Sequence, residues 1–147
     1  MSQILEIGIT KISNSYIENT EAIELVKGKG IKGDRYFKDF NDIRSQITLI
    51  ESENVDYYNM TFNTNFPYKD FRRNLVTKGI KLNDLLGKKL SIGNSELLAN
   101  DLCRPCKSLQ EKLGKNNIIK EFLRRGGLRC QILKSGSIKL GDVIKVI

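Results

Sequence analysis

The 147 residues carry 25 Lys and Arg against 17 Asp and Glu, a formal charge of +8, with 39% apolar residues and no histidine. A chain of this length supports one domain, 1–147, around one well-buried core, and its mixed composition excludes a disordered or low-complexity protein. The missing histidine excludes Ser-His and Cys-His nucleophilic pairs and His-ligated zinc, and leaves acid–base work to other side chains.

The positive balance suits phosphate-bearing partners, whether a nucleotide, a phosphorylated cofactor or nucleic acid, although solubility alone would also account for it. No apolar run approaches the roughly 20 residues of a membrane span. The start Met1-Ser2-Gln3-Ile4-Leu5-Glu6 lacks the pattern of a secretory signal. Three cysteines without framework spacing point to free thiols in a reducing compartment, so a cytoplasmic protein without a membrane partner is expected.

In chain order, Gln3 to Ile12 is rich in β-branched residues with partial period-two alternation and predicts a strand, ended by Ser13-Asn14-Ser15. Glu21 to Val26 predicts a second strand. The loop from Lys27 to Tyr36 follows, with Gly28, Gly30 and Gly33 spaced as G-x-G-x-x-G. A dinucleotide fingerprint must open a helix within a βαβ unit, and Asp34-Arg35-Tyr36-Phe37 leads into more loop, so that reading is rejected. The loop can face either a phosphate or solvent. Gln46 to Ile50 predicts a short strand, and a helix from Glu51-Ser52 to about Met60 follows, with Ser52 as its N-cap.

After a polar connection from Asn63 to Lys69, the segment Phe71 to Gly79 reads as a strand with Arg72 and Arg73 on opposite faces. A half-buried strand normally hides one face, so an anion is expected to meet at least one guanidinium, the side chain best shaped to fork onto phosphate or carboxylate. A pair of solvated cations at a strand start is the plainer alternative. Leu85 to Leu98 predicts two strands joined at Gly93-Asn94. Leu128 to Leu133, then Ser137 to Ile147 with a turn at Gly141-Asp142, predict three more. Many short strands at close intervals argue for a closed or nearly closed β-barrel. Two helical patterns interrupt the strands, Cys106 to Leu113 and Asn117 to Arg125. The second shows Ile118, Ile119, Phe122 and Leu123 on one side and is stopped by Gly126-Gly127.

The chemistry is expected in Asn100 to Leu109, which holds Cys103 and Cys106 in a C-x-x-C spacing with Arg104, Pro105 and Lys107. A thiolate is favoured beside cations and at a helix start, and Cys106 meets both conditions. Both cysteines can instead be small core hydrophobes. A structural zinc site on Cys103, Cys106 and Cys130 is a further reading, but it lacks a fourth ligand unless Asp101 supplies one. A nucleic-acid-binding barrel is another, and no aromatic series interleaved with the cations supports it.

Read in order, Gly30-x-x-Gly33-Asp34-Arg35, Gln46 to Ile50, Arg72-Arg73-Asn74-Leu75-Val76-Thr77-x-Gly79-Ile80, Leu86-Gly87-x-x-Leu90-x-Ile92-Gly93, Pro105-Cys106-x-x-Leu109 and Gly136-x-Ile138-x-x-Gly141-Asp142 resemble the MOSC domain, which closes molybdenum cofactor sulfurases and also occurs as small stand-alone proteins. The resemblance implies a mainly β fold, a MOSC-like β-barrel with a few short α-helices. It implies molybdenum cofactor (Mo-molybdopterin) as ligand, with Cys106 as the reactive residue, either a molybdenum ligand or a sulfur carrier. Arg72 and Asn74, with Arg73 between them, are implied to hold the cofactor phosphate or pterin; Arg35 is a weaker transfer, and Arg104 belongs to the same candidate wall.

Sulfurase relatives carry a pyridoxal-phosphate domain that makes a persulfide, and larger reductases of N-hydroxylated compounds carry an added N-terminal β region. The sequence shows neither, which implies action on a cofactor-bearing or sulfur-donor partner. The alternative is a basic β-barrel binding module for nucleic acid or another phosphate ligand, without catalysis.

Overall fold

The structure, a computed structural model, describes residues 2–12 and 16–147; the expected strand end at Ser13-Asn14-Ser15 lies outside them. The first strands are β1 (Gln3–Ile9), β2 (Glu18–Thr20), β3 (Ala22–Val26), β4 (Gly30–Ile31) and β5 (Ile47–Glu51). Helix α1 (Ser52–Phe62) leads to β6 (Leu75–Lys78), β7 (Lys89–Ile92) and β8 (Ser95–Leu102). Helices α2 (Lys107–Leu113) and α3 (Ile118–Glu121) precede β9 (Leu128–Lys134), β10 (Gly136–Lys139) and β11 (Ile144–Val146).

Eight strands form one sheet in the order β11-β7-β8-β9-β5-β6-β1-β2, and β10-β3-β4 form a second. The pairings are antiparallel except β5 with β6. That pair is joined through α1, the crossover that parallel neighbours need. Because β5 and β6 are covered on both faces, their sequences are nearly continuously apolar rather than alternating. Leu49 and Leu75 enter the main core with Ile4, Ile7, Leu90, Leu97 and Ile132. Ile50 and Val76 enter a smaller cluster with Tyr58, Phe71 and Phe122 under the helices.

The expected barrel is not closed. Both sheets are open, and the seam between β1 and the turn before β11 holds one isolated bridge, Gln3 to Val143. Two backbone bonds flank it, Ile4 N–H to Asp142 O at 2.9 Å and Gly141 N–H to Ile4 O at 2.8 Å. The reason is strand length: β11 and β2, the two ends of the large sheet, have three residues each and share no ladder.

Three local expectations also change. Glu51, not Ser52, is the N-cap of α1, and no side chain caps it. The second helical pattern is only four residues long, so Ile118 and Phe122 are buried while Ile119 and Leu123 stay exposed. Its chain leaves through turns to Gly127, whose φ of +100° and close approach to Leu49 O admit no side chain. Finally, Arg72 and Arg73 precede β6 rather than lying on it. A short 3-10 turn, Tyr68–Phe71, delivers them, and Arg72 caps that turn in the left-handed region with φ of +61°.

Candidate cofactor-binding site

The carboxamide of Asn74 ties three strands together. Its Oδ1 accepts from Thr48 N–H at 3.0 Å and from Thr48 Oγ1 at 3.1 Å, and its Nδ2 donates to Gly8 O at 3.1 Å. β1, β5 and the entry to β6 therefore converge at one point. Beside it, the turn at Gly33-Asp34-Arg35 is pinned from both sides. Asp34 Oδ1 accepts from Thr10 N–H at 2.9 Å, Asp34 Oδ2 accepts from Tyr36 N–H at 3.3 Å, and Arg35 N–H donates to Thr10 O at 2.7 Å. The Arg35 guanidinium lies 4.4 Å from the centre of the Tyr36 ring and donates to its hydroxyl, a stacking that orients the cation.

A cavity of about 390 Å³ opens over these residues. Arg35, Arg72, Arg73 and Asn74 line it together with Cys106, so residues from three separated segments meet there. Three further cations complete the wall: Arg44, Lys112 and Arg129. Arg129 stands opposite Thr48 in the β5–β9 ladder and donates through Nη1 to Arg44 O at 2.8 Å, so it also fixes the loop that carries Arg44. Asp34 is the one acidic residue lining the cavity among the described residues, and both its oxygens already accept backbone N–H groups. The field inside is strongly positive.

Sequence reasoning missed Arg44, Lys112 and Arg129. A signal existed for Arg129: it alternates outward between buried Leu128 and Cys130 on β9.

The three cysteines separate cleanly. Cys106 is exposed, caps α2 and lines the cavity. Cys103 is buried, its backbone N–H donating to Gly127 O at 2.7 Å, and burial pushes its thiol pKa up against the opposing pull of Arg73 and Arg129. Cys130 lies in the core opposite Ala99 and Ile47, and burial raises its pKa strongly. Among the described residues no three His, Cys, Asp or Glu side chains form a group that could hold a metal ion, so the zinc reading finds no ligand set.

Arg104 does not line the cavity. Its Nη1 meets Asp101 Oδ2 at 3.1 Å on the surface, where the Leu102 N–H and then Arg104 hold the Asp101 carboxyl below its usual range. Arg73 is also partly committed: Nε donates to Gly126 O at 3.0 Å and Nη1 to Phe71 O at 3.3 Å.

The MOSC domain model matches residues 31–145, and the chain belongs to that family, which is known in molybdenum cofactor-related proteins.

The fold is similar to that of the YuaD protein from Bacillus subtilis, at 19% identity and a TM-score of 0.83 over 99% of this chain and 96% of that one. It is also similar to YiiM from Geobacillus stearothermophilus, at 18% identity and 0.79 over 100% of this chain and 75% of that one. YiiM from Escherichia coli gives 16% and 0.77, over 100% and 70%. No sequence among the curated proteins matches the chain. Among the described residues no helix is long and apolar enough to cross a membrane.

Proposed function

We propose that this chain, acting as one domain, binds molybdenum cofactor in the cation-lined cavity, with the Cys106 thiolate serving as a molybdenum ligand or as a carrier of sulfane sulfur. The observation that carries the reading is that Cys106, alone of the three cysteines, is exposed on a cavity lined by Arg35, Arg44, Arg72, Arg73, Arg129 and Lys112. The donor set fits the group. A thiolate is the soft ligand such a metal takes, guanidiniums fork onto a phosphate, and the lone carboxylate is already satisfied by amides.

When bound, the cofactor supplies the redox-active metal centre. The chain's own residues bind and orient. Arg35, Arg44, Arg72 and Arg129 neutralise the phosphate, while Asn74 acts as a positioning residue, because its carboxamide holds Thr48 and Gly8. Arg73 supports the wall from Gly126. Sulfur transfer to a cofactor-bearing partner and reduction of N-hydroxylated compounds are the two activities this arrangement supports.

Metal analysis and mass spectrometry of protein made in cells that produce the cofactor test the reading. The wild type and Cys130→Ala are expected to carry molybdenum, or one added sulfur, and Cys106→Ala neither. Loss on Cys130→Ala with retention on Cys106→Ala would end the assignment.

A further inference from the structure

Helix α2 forms a wall common to two cavities. Cys106 at its cap and Leu109 one turn on line the cavity described above, Lys112 lines both, and Leu113 lines a second cavity of about 420 Å³. Spacings of three and four residues put these side chains on one face of the helix. At roughly 1.5 Å of rise per residue, Lys112 stands about 9 Å beyond Cys106 along the axis. The two cavities also share Ile17 and Arg72, so a single ligand can reach from one into the other.

The second cavity has two unlike sides. Ile17, Leu113 and Tyr16 give it an apolar flank, in which Ile17 is buried, Leu113 is half-buried and the Tyr16 ring is exposed. Lys69, Lys112 and Arg72 give it a cationic flank against the single carboxylate of Asp70. Among the described residues neither Lys69 nor Lys112 forms an ion pair, and Glu6, the carboxyl that Lys69 influences, lies outside this cavity. The cofactor reading assigns Arg72 to a phosphate and leaves both ammonium groups without an anion. An apolar flank facing two ammonium groups, in a volume at the low end of small-ligand pockets, suits a ring-sized apolar body with one negative end.

We propose that the second cavity selects the substrate, and that the substrate is a small organic anion. Its carboxylate sits at Lys69 with Lys112 alongside, its apolar body lies against Ile17 and Leu113, and its reacting end enters the first cavity at Cys106. The substrate role rests on the cofactor reading of the first cavity, whereas the selection of an anion rests on the second cavity alone.

Binding to the cofactor-free chain tests the selection. Calorimetric titration with 4-ethylbenzoate and with its neutral isostere 4-ethylbenzamide is expected to show the anion bound about tenfold tighter, the size of one charge-assisted contact. Lys69→Gln should remove most of that preference and Lys69→Arg should keep it. Lys115→Gln, just past α2 and outside both cavities, should not alter it. Equal binding of the two probes by the wild type, or an unaltered preference in Lys69→Gln, overturns the anion subsite.

Protection of the thiol tests the reach. The probe 4-(N-hydroxycarbamimidoyl)benzoate carries its carboxylate and its N-hydroxyl group at opposite ends of one ring. It is expected to slow alkylation of Cys106 by iodoacetamide several-fold in the wild type and not in Lys69→Gln, with benzamidoxime, which lacks the carboxylate, protecting less at equal concentration. No protection by the carboxylate probe puts the anion out of reach of Cys106 and overturns the substrate role. Molybdenum content then separates this proposal from the cofactor reading. Wild type and Lys69→Gln made in cofactor-producing cells should carry the same molybdenum or added sulfur. Loss in Lys69→Gln alone makes the second cavity part of the cofactor site and overturns the proposal; absence from both ends the cofactor reading, with the two benzoate probes still deciding the anion subsite.

Discussion

The two sides of β5 and β6 use the same strands for opposite ends. Toward the helices, Phe71, Tyr58 and Phe122 pack with ring centres 4.7 Å apart for Phe71–Phe122 and 5.4 Å for Tyr58–Phe122. At the strand ends, cations crowd around an exposed thiol. Phe71 and Arg72 are chain neighbours, yet one is 1% exposed in the aromatic cluster and the other lines the cavity. The cavity gathers like charges that repel one another, so its geometry must be held by the packed side. The link is visible in Arg73, whose guanidinium donates to the carbonyls of Phe71 and Gly126.

The most direct way to break this partnership is Gly127→Ala. A Cβ there would sit 1.7 Å from Leu49 O with φ of +100°, so the chain must move off β5. A loss of more than about 3 kcal/mol, or no folded protein, is expected in urea unfolding. Phe122→Ala, which empties the centre of the aromatic cluster, should cost about 3–5 kcal/mol by the same measurement. Asn74→Ala should cost about 2–3 kcal/mol, since it strands the Thr48 and Gly8 backbone groups its carboxamide satisfies. This value sharpens the comparison, because it marks a cavity residue as belonging to the supporting side.

The smallest effect is expected at Glu51. Burial raises its carboxyl pKa above 4.5, partly opposed by the Leu82 N–H that it accepts at 3.2 Å. The folded state therefore holds this proton more tightly than the unfolded chain, and Glu51 contributes stability below pH 4.5 that is lost as pH rises through its raised value. Glu51→Gln should be slightly more stable than wild type near pH 7, with the difference closing below about pH 4.5, read from unfolding midpoints across pH.

Much of this architecture was legible in the sequence because alternation and turn residues are local signals. β1, β5, the β7–β8 hairpin about Gly93-Asn94, β9 and the start of α2 all follow from them. β2 and β4 were not legible, being three and two residues long. The barrel was overread, since strand count carries no information on whether edge strands are long enough to close the sheet. Arg72 was assigned to a strand because nothing in Phe71-Arg72-Arg73 signals a left-handed residue.

The site was half legible. Cys106, Arg35, Arg72 and Arg73 came from local pattern and family resemblance, whereas Arg44 and Arg129 reach the cavity through the β5–β9 register between residues some 80 positions apart, a long-range fact. Arg104, adjacent in sequence to the candidate thiol's loop, turned out to pair outward with Asp101.

The central claim is that the cavity side presents one thiol to an anionic cofactor. The alkylation rate of the native protein by iodoacetamide, with and without molybdenum cofactor released from a donor enzyme, measures it directly. Modification confined to Cys106 and slowed by the cofactor is the predicted result. Alkylation of Cys106 at the same rate with cofactor present, or reaction of Cys103 or Cys130 ahead of it, would contradict the account.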